Sequence, residues 1–564
     1  VNNLSEATSR ISLPDAPPAQ ESILAAGGVA CWSEPVWIDT YATGEPDRYP
    51  MFLDRRVYQG SSGKVYPLPF IDSVAVAKEP RLWRAIHLEN EFVRLMLLPE
   101  IGGRIHVGYD KTADYDFFYR NNVIKPALVG LAGPWISGGV EFNWPQHHRP
   151  ATYLPVETSI SRDPDGSVTV WHSDLDPLQR MQGNHGVTLR PGQSLLEVQG
   201  RLHNRTDEPQ TFLWWANVAA RVHEHYQSFF PTDVRYVADH ARRAITAFPH
   251  ADRPYYGVDY PALAAVQPGS DRVDFYSNVP VPTSYMITDT QDSFFGGYDH
   301  LKKAGFVHWA DRAISPGKKQ WTWGDGPVGH AWDGQLTDDD GPYVELMAGV
   351  FTDNQPDFSY LAPGETRRFS QYWYPIREMG PAQQANLDAA VSLRLVKEGT
   401  EVHLGASATR NLNNASVVLS RAGRTVLTQH VRLSPTHPFT GVVILPTAAR
   451  AAELTVDILE DGKKLISWTP REITTNAEEP WIATEPPHPE KISSTDELYV
   501  TGLHLTQNRH ATRSPLPYFE EILRRDPHDS RAAVSLGTAM YRQGRYIEAG
   551  SCSRLHSLVS PEGT

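Results

Sequence analysis

The chain has 564 residues, 40% of them hydrophobic and 21% charged, with a formal net charge of −14. It is too apolar and aromatic for a disordered chain, and its acidity argues against the basic face that nucleic acids require. No apolar run approaches the ~20 residues of a bilayer span, and two cysteines, Cys31 and Cys552, make neither a disulfide framework nor a cysteine-rich zinc module.

At about 100–200 residues per domain, the length implies several domains or one very large one with attachments. Residues 1–30 are weakly patterned and read as a peripheral arm. The start, Val1-Asn2-Asn3-Leu4-Ser5, shows no basic or apolar leader, so no signal peptide and a cytoplasmic address are expected. Residues 31–385 hold most of the aromatic residues, 13 of the 15 Trp. They read as short strands between turn signals: Phe92–Leu97, Ser167–His172 and Leu195–Leu202 are examples. Many strands without alternating helices predict an antiparallel sandwich. A second all-β unit is expected over 388–474, with seven strands and an Asp461-Gly462 hairpin turn. That is the size of an immunoglobulin-like sandwich. Residues 475–493 are rich in Pro and Glu and read as a linker.

The tail, 494–564, reads as helical. Pro527 and Pro561 lie 34 residues apart, with Leu536-Gly537, Gly544, Tyr546 and Ala549 between them. This spacing resembles a tetratricopeptide (TPR) repeat, possible only in part because Ser553 and His556 replace the expected residue types. One repeat and a half buries too little core to stand alone, so the tail reads as a piece of a longer array and a surface for a protein partner.

The densest polar stretch is Trp135 to Arg149. Gly138-Gly139 allows positive φ or close backbone approach, and Glu141, Asn143, Trp144, His147, His148 and Arg149 follow at once. A structural strand has no use for that many polar groups, each of which needs a partner when buried. A second cluster holds Trp214, Trp215 and Asn217 and runs into His223 and His225. The two histidines share one side of a strand, but no third ligand is identifiable, so no metal is expected. A third holds Lys318, Lys319, Trp321, Trp323 and Asp333. Asp338-Asp339-Asp340 lacks the spacing of a calcium loop and reads as solvated. Glu345 sits inside an apolar run, where burial raises a carboxyl's pKa as a general acid requires.

Clustered Trp, acids, amides and His suit a sugar: aromatic faces cover its C–H face while polar groups bind its hydroxyls. Glycosyl transfer to water needs two carboxylates. Glu141 and Glu345 are the preferred pair, with Asp333 and Asp357 in reserve. Motifs for nucleotides, the serine elbow and the zinc-protease helix are absent, and no cofactor is expected.

The segment Glu89 to Ile105, with Leu98-Pro99-Glu100-Ile101-Gly102-Gly103-Arg104, resembles the opening of galactose mutarotase-like proteins. Leu361-Ala362-Pro363-Gly364-Glu365-Thr366 and Phe369 to Pro375 resemble their closing hairpin. Uncharacterised bacterial proteins of this kind carry TPR repeats behind such a domain. The resemblance implies a mainly β fold with a large antiparallel supersandwich. In aldose mutarotases a His is general acid and a late-strand Glu is general base. By that likeness Glu345 is the base, His147 or His148 the early histidine, and His223 or His225 the later one. Trp215-Ala216-Asn217 stands where the mutarotase Asn-His motif is expected.

The leading expectation is a glycoside hydrolase for an oligosaccharide, with Glu345 as acid and Glu141 as second carboxylate. Asn143, His147, His148, Arg149, Asn217, His223 and Asp333 would bind hydroxyls, and Trp144, Trp215, Trp321 and Trp323 would stack. The alternatives are a mutarotase or sugar epimerase for a monosaccharide, and a non-catalytic sugar-binding protein whose tail recruits a partner.

Overall fold

Along Trp214–Arg221, the apolar residues Trp214, Ala216, Val218 and Ala220 alternate with Trp215, Asn217, Ala219 and Arg221. A strand of this kind has one face for a core and one for something else. The computed structural model describes residues 8–49, 67–177, 179–353, 357–471, 478–507 and 513–559. Val1–Ser5, Asn354-Gln355-Pro356, residues 475–477 of the expected linker and Pro561 lie outside the described residues.

The protein is mainly β. Its largest sheet has twelve strands. The six that matter for the site are β1 (Arg104–Asp110), β2 (Val140–Asn143), β3 (Trp214–Arg221), β4 (Thr283–Ile287), β5 (Gly317–Thr322) and β6 (Tyr343–Val350). They lie in the order β1-β2-β3-β6-β5-β4, with antiparallel neighbours throughout. An eight-stranded antiparallel sheet packs against one face. It includes Val168–Leu175, Leu196–Asn204 and the closing strand Thr366–Arg377. The core between the sheets joins Val140, Phe142, Trp214, Val218 and Leu346 to Val170, Val187 and Val198. Hydrophobic burial of this face pins the register, because a slip of one residue would turn every core side chain outward.

Strands at Val93–Leu98, Val168–Leu175 and Leu196–Asn204 stand where alternation predicts them, within a residue or three at their ends. Beyond the large sandwich, two four-stranded sheets share a second core built from Val391, Leu404, Val417, Val456 and Trp468. This is the immunoglobulin-like layout. The tail holds helices Thr495–Gln507, Leu516–Arg525, Ser530–Arg542 and Tyr546–Val559. Gly537 lies against Cys552, a close approach of the small-residue kind that the repeat spacing predicts. No helix among the described residues is long and apolar enough to cross a membrane.

The outer parts are tied to the large sandwich. Arg471 pairs with both Asp233 and Asp292 at 2.8 Å. The Arg242 guanidinium lies 4.5 Å from the Trp481 ring, and Gln507 donates to the Phe358 carbonyl at 3.4 Å. At the other end of the chain, Ile11 is buried and its N–H donates to Asn122 Oδ1 at 3.0 Å.

Candidate active site

The second face of the large sheet carries the polar cluster. Residues directly opposite on neighbouring strands share a face. One row runs Glu141, Asn217, Met347, Lys319 across β2, β3, β6 and β5. The row beside it holds Ala219, Glu345, Trp321 and Ser284. On the other side lie Asn143, Trp215, Gly349 and Gly317. The two preferred carboxylates are therefore on one face, with Asn217 between their strands. Both are buried, Glu141 at 4% and Glu345 at 5% exposure.

The turn before β2 makes this possible. Gly138 and Gly139 have φ of +91° and +58°, and a side chain on Gly139 would meet the Ile105 carbonyl oxygen at 2.0 Å. Arg104 donates to the Ile136 and Gly138 carbonyls and holds the turn from below. After β2 the chain turns back: the His148 N–H donates to Asn143 Oδ1 at 2.7 Å. This brings the His148 imidazole to 3.3 Å from Glu141 Oε2, beside the His147 ring. Asn217 Nδ2 donates to the same oxygen at 3.3 Å.

These surroundings push the two carboxyls apart. Burial alone would raise Glu141, but the His148 and Arg104 charges and hydrogen bonds overcome it and hold Glu141 down at about 2. Glu345 is raised by burial, which outweighs the lowering by Lys319 and His148. Burial drives Lys319 down to about 7, opposed by Glu345. Burial also holds His147 neutral. Two carboxyls on one face whose surroundings shift them in opposite directions are the pattern that assigns acid and base roles. Asn143 Nδ2, Trp215 Nε1, His147 Nδ1 and Asn217 Oδ1 are buried without a hydrogen-bond partner, which leaves donors and an acceptor for a ligand hydroxyl or water.

The aromatic rim lies on the Glu345 side. Trp321 is opposite Glu345. Trp323 meets Trp321 edge to face at 4.6 Å and stacks on Trp332 at 4.3 Å. Trp332 comes from helix α1 (Pro327–Leu336). All three are half-buried and present surface to solvent.

Other sequence candidates lie elsewhere. Trp144 is 1% exposed and belongs to the core between the sheets, because it follows Asn143 and points to the opposite face. Its ring is covered by Gly183 and by the Arg149 guanidinium. Arg149 pairs with Asp174 of the eight-stranded sheet, so it anchors the loop. Trp215 is on the site face, but Met347 and Phe358 cover it and Gly349 abuts it, so only its unpaired N–H points to a ligand role. His223 pairs with Asp299 at 3.0 Å and Asp333 with His330 at 3.3 Å, apart from the carboxylate pair. Asp357 is half-buried, and desolvation pushes it up to about 6. The expected solvated loop differs: Asp338 pairs with Lys78 and Lys125, and Asp340 is buried against Asn122 and Arg221. Among the described residues, no group of three or more His, Cys, Asp or Glu is placed to hold a metal.

Sequence reasoning places Lys319 in a cluster without giving it a role, and passes over His240. Lys319 carries a signal: of two adjacent lysines in a strand, one must face each side. His240 carries none, because it stands alone in a turn far along the chain.

A family model described as Domain of unknown function (DUF5107) matches residues 61–376, and one described as YphG-like protein, second domain, matches residues 384–468. A solved TPR-domain containing protein from Parabacteroides distasonis shares the fold, with 18% identity and a TM-score of 0.55 over 95% of this chain and 80% of its own. A galactose mutarotase-like protein from Clostridium acetobutylicum is similar over 52% of this chain and 96% of its own, at 12% identity and TM-score 0.36. Another from Lactobacillus casei covers 52% of this chain and all of its own, at 10% identity and TM-score 0.33.

Proposed function

We propose, of a chain that belongs to the DUF5107 family, that it is a carbohydrate-active enzyme, a glycoside hydrolase in which Glu345 is the general acid and Glu141 the second carboxylate. The observation that carries this reading is the pair itself: two buried acids on one sheet face whose surroundings shift them in opposite directions. Protonated Glu345 gives its proton to the leaving glycosidic oxygen. Ionised Glu141 takes a proton from the water that attacks the anomeric carbon from the other side. Two strand spacings separate β2 from β6, about 10 Å. Trp321, Trp323 and Trp332 offer the sugar an apolar face, and Asn143, Asn217, His147 and His148 its hydroxyl partners. In this reading residues 31–385 bear the site, 388–474 pack beside it, and 494–564 meet a protein partner.

A second reading has one supporting observation. The His148 imidazole beside the row of Glu141, with Glu345 near, supplies the His and Glu of a ring-opening mutarotase or epimerase.

The test is a screen of aryl glycosides and oligosaccharides, with anomer exchange of free sugars followed by NMR, on wild type and Glu345→Gln. Sugar release by wild type, lowered about 10²–10⁴-fold in the variant, is expected. Anomer exchange without release selects the second reading. Sugar binding of equal affinity in both proteins, with no turnover in either, selects a binding protein.

A further inference from the structure

Glu345 is buried, so a proton it donates must be replaced from outside the site. Lys319 lies diagonally from it on the next strand, two residues from Trp321, its directly opposite partner. Such neighbours stand about 7–8 Å apart at the backbone, within the reach of a lysine. Lys319 Nζ and His240 Nε2 are 2.9 Å apart. On the far side of that ring, His240 Nδ1 and Ser284 Oγ are 2.9 Å apart. Ser284 Oγ and the Tyr256 phenol are 2.8 Å apart. Lys319 and Ser284 are buried, whereas Tyr256 is 39% exposed. A lysine kept only for packing needs an acceptor. It does not need an imidazole whose second nitrogen continues to a hydroxyl and a solvent-facing phenol.

We propose that Lys319, His240, Ser284 and Tyr256 form a proton relay joining the carboxyl of Glu345 to solvent. The proposal rests on Glu345 being the proton donor. The relay uses the His240 tautomer that carries its proton on Nε2, facing a neutral Lys319 amine; after donation the Glu345 carboxylate takes a proton from that amine. The amine takes one from Nε2 of His240, Nδ1 takes one from the Ser284 hydroxyl, Ser284 from the Tyr256 phenol, and the phenol from water. Each member loses one proton as it gains another, so one solvent proton reaches Glu345 and only N–H and O–H bonds change. An inverting hydrolysis needs this step, because each turnover leaves its acid deprotonated. The charged and titratable groups facing the relay are Glu345, Glu141, His147 and His148 at its inner end, and Asp239 and Arg243 near Tyr256.

The test uses the full chain with Tyr256→Phe, Ser284→Ala and Ser284→Thr. With a substrate from the screen, Ser284→Ala is expected to lower kcat about tenfold or more at unchanged KM. It should also enlarge the D₂O effect on kcat and be rescued by imidazole in the buffer, while Ser284→Thr keeps wild-type behaviour. An Ala variant with wild-type kcat and D₂O effect overturns the relay, as does a loss carried by KM alone. A second readout needs no substrate: exchange of Lys319 Nζ protons with solvent, by NMR of lysine-labelled protein. Slower exchange in Tyr256→Phe supports the relay even where wild type turns over no sugar, an outcome that sinks only the hydrolase reading. Unchanged exchange overturns the relay.

Discussion

Two lysines next to each other in β5 show how differently the faces of one sheet treat a charge. Lys318 points to the core side, where its Nζ is buried without a hydrogen-bond partner. Lys319 points to the site side, where its Nζ is bonded to His240 and its charge is coupled to Glu345. Both are buried, and burial lowers both, Lys318 to about 8 and Lys319 to about 7. On the core side the buried charge is a cost. On the site side it belongs to a network with donors, acceptors and a way to solvent. The apolar face stabilises the fold, and the polar face can hold so many polar groups because the other has already fastened the sheet.

The comparison is broken most strongly by acid. His87, His106, His147, His172, His185 and His308 are buried and held neutral by burial. His87 is lowered to about 4, and His106 and His185 to about 3. Unfolded, they take up protons below about 6.5. The unfolded chain then binds more protons, so stability is lost as pH falls from about 6.5 through these lowered values. Each tenfold change in proton affinity is worth about 1.4 kcal/mol. Thermal melts are expected to show a falling Tm from pH 7 to 4, and a flat profile would refute buried neutral imidazoles on either face.

A single core-face change comes next. Trp214 is fully buried, and its Nε1 donates to Gln371 at 3.0 Å. Trp214→Ala is expected to cost about 3–5 kcal/mol in denaturant unfolding.

Glu345→Gln sharpens the contrast from the site face. A carboxyl raised in the fold weakens stability as pH rises through its unfolded value, about 4.3. The neutral amide escapes this. The Tm of Glu345→Gln relative to wild type is therefore expected to rise from pH 4 to pH 8, while its activity is lost. The smallest effect belongs to Lys318→Met, which removes an unsatisfied donor from the core side. It is expected to be stabilising or neutral, within about 1 kcal/mol, with activity kept.

Much of the fold is legible in the chain because strand period and turn residues are local. The run from Ala389 to Trp468 shows its strands by alternation, and Gly138-Gly139 marks the turn that sets Glu141 in place. The site is legible only as a list of residue types. Trp144 and Trp215 look alike in sequence, yet one fills the core and the other lies on the site face. Arg149 looks like a ligand group and is held by Asp174.

What the sequence determines by itself is the β class, the helical tail, and the acids, amides and aromatics available for chemistry, since these follow from composition and period. Which of them meet is decided by strand register and sheet order. Glu141 and Glu345 are some two hundred residues apart in the chain, and His240 reaches Lys319 across 79 positions. Such contacts depend on which strands pair, and pairing is set by burial of the opposite, apolar face, which no local pattern around the polar residues records.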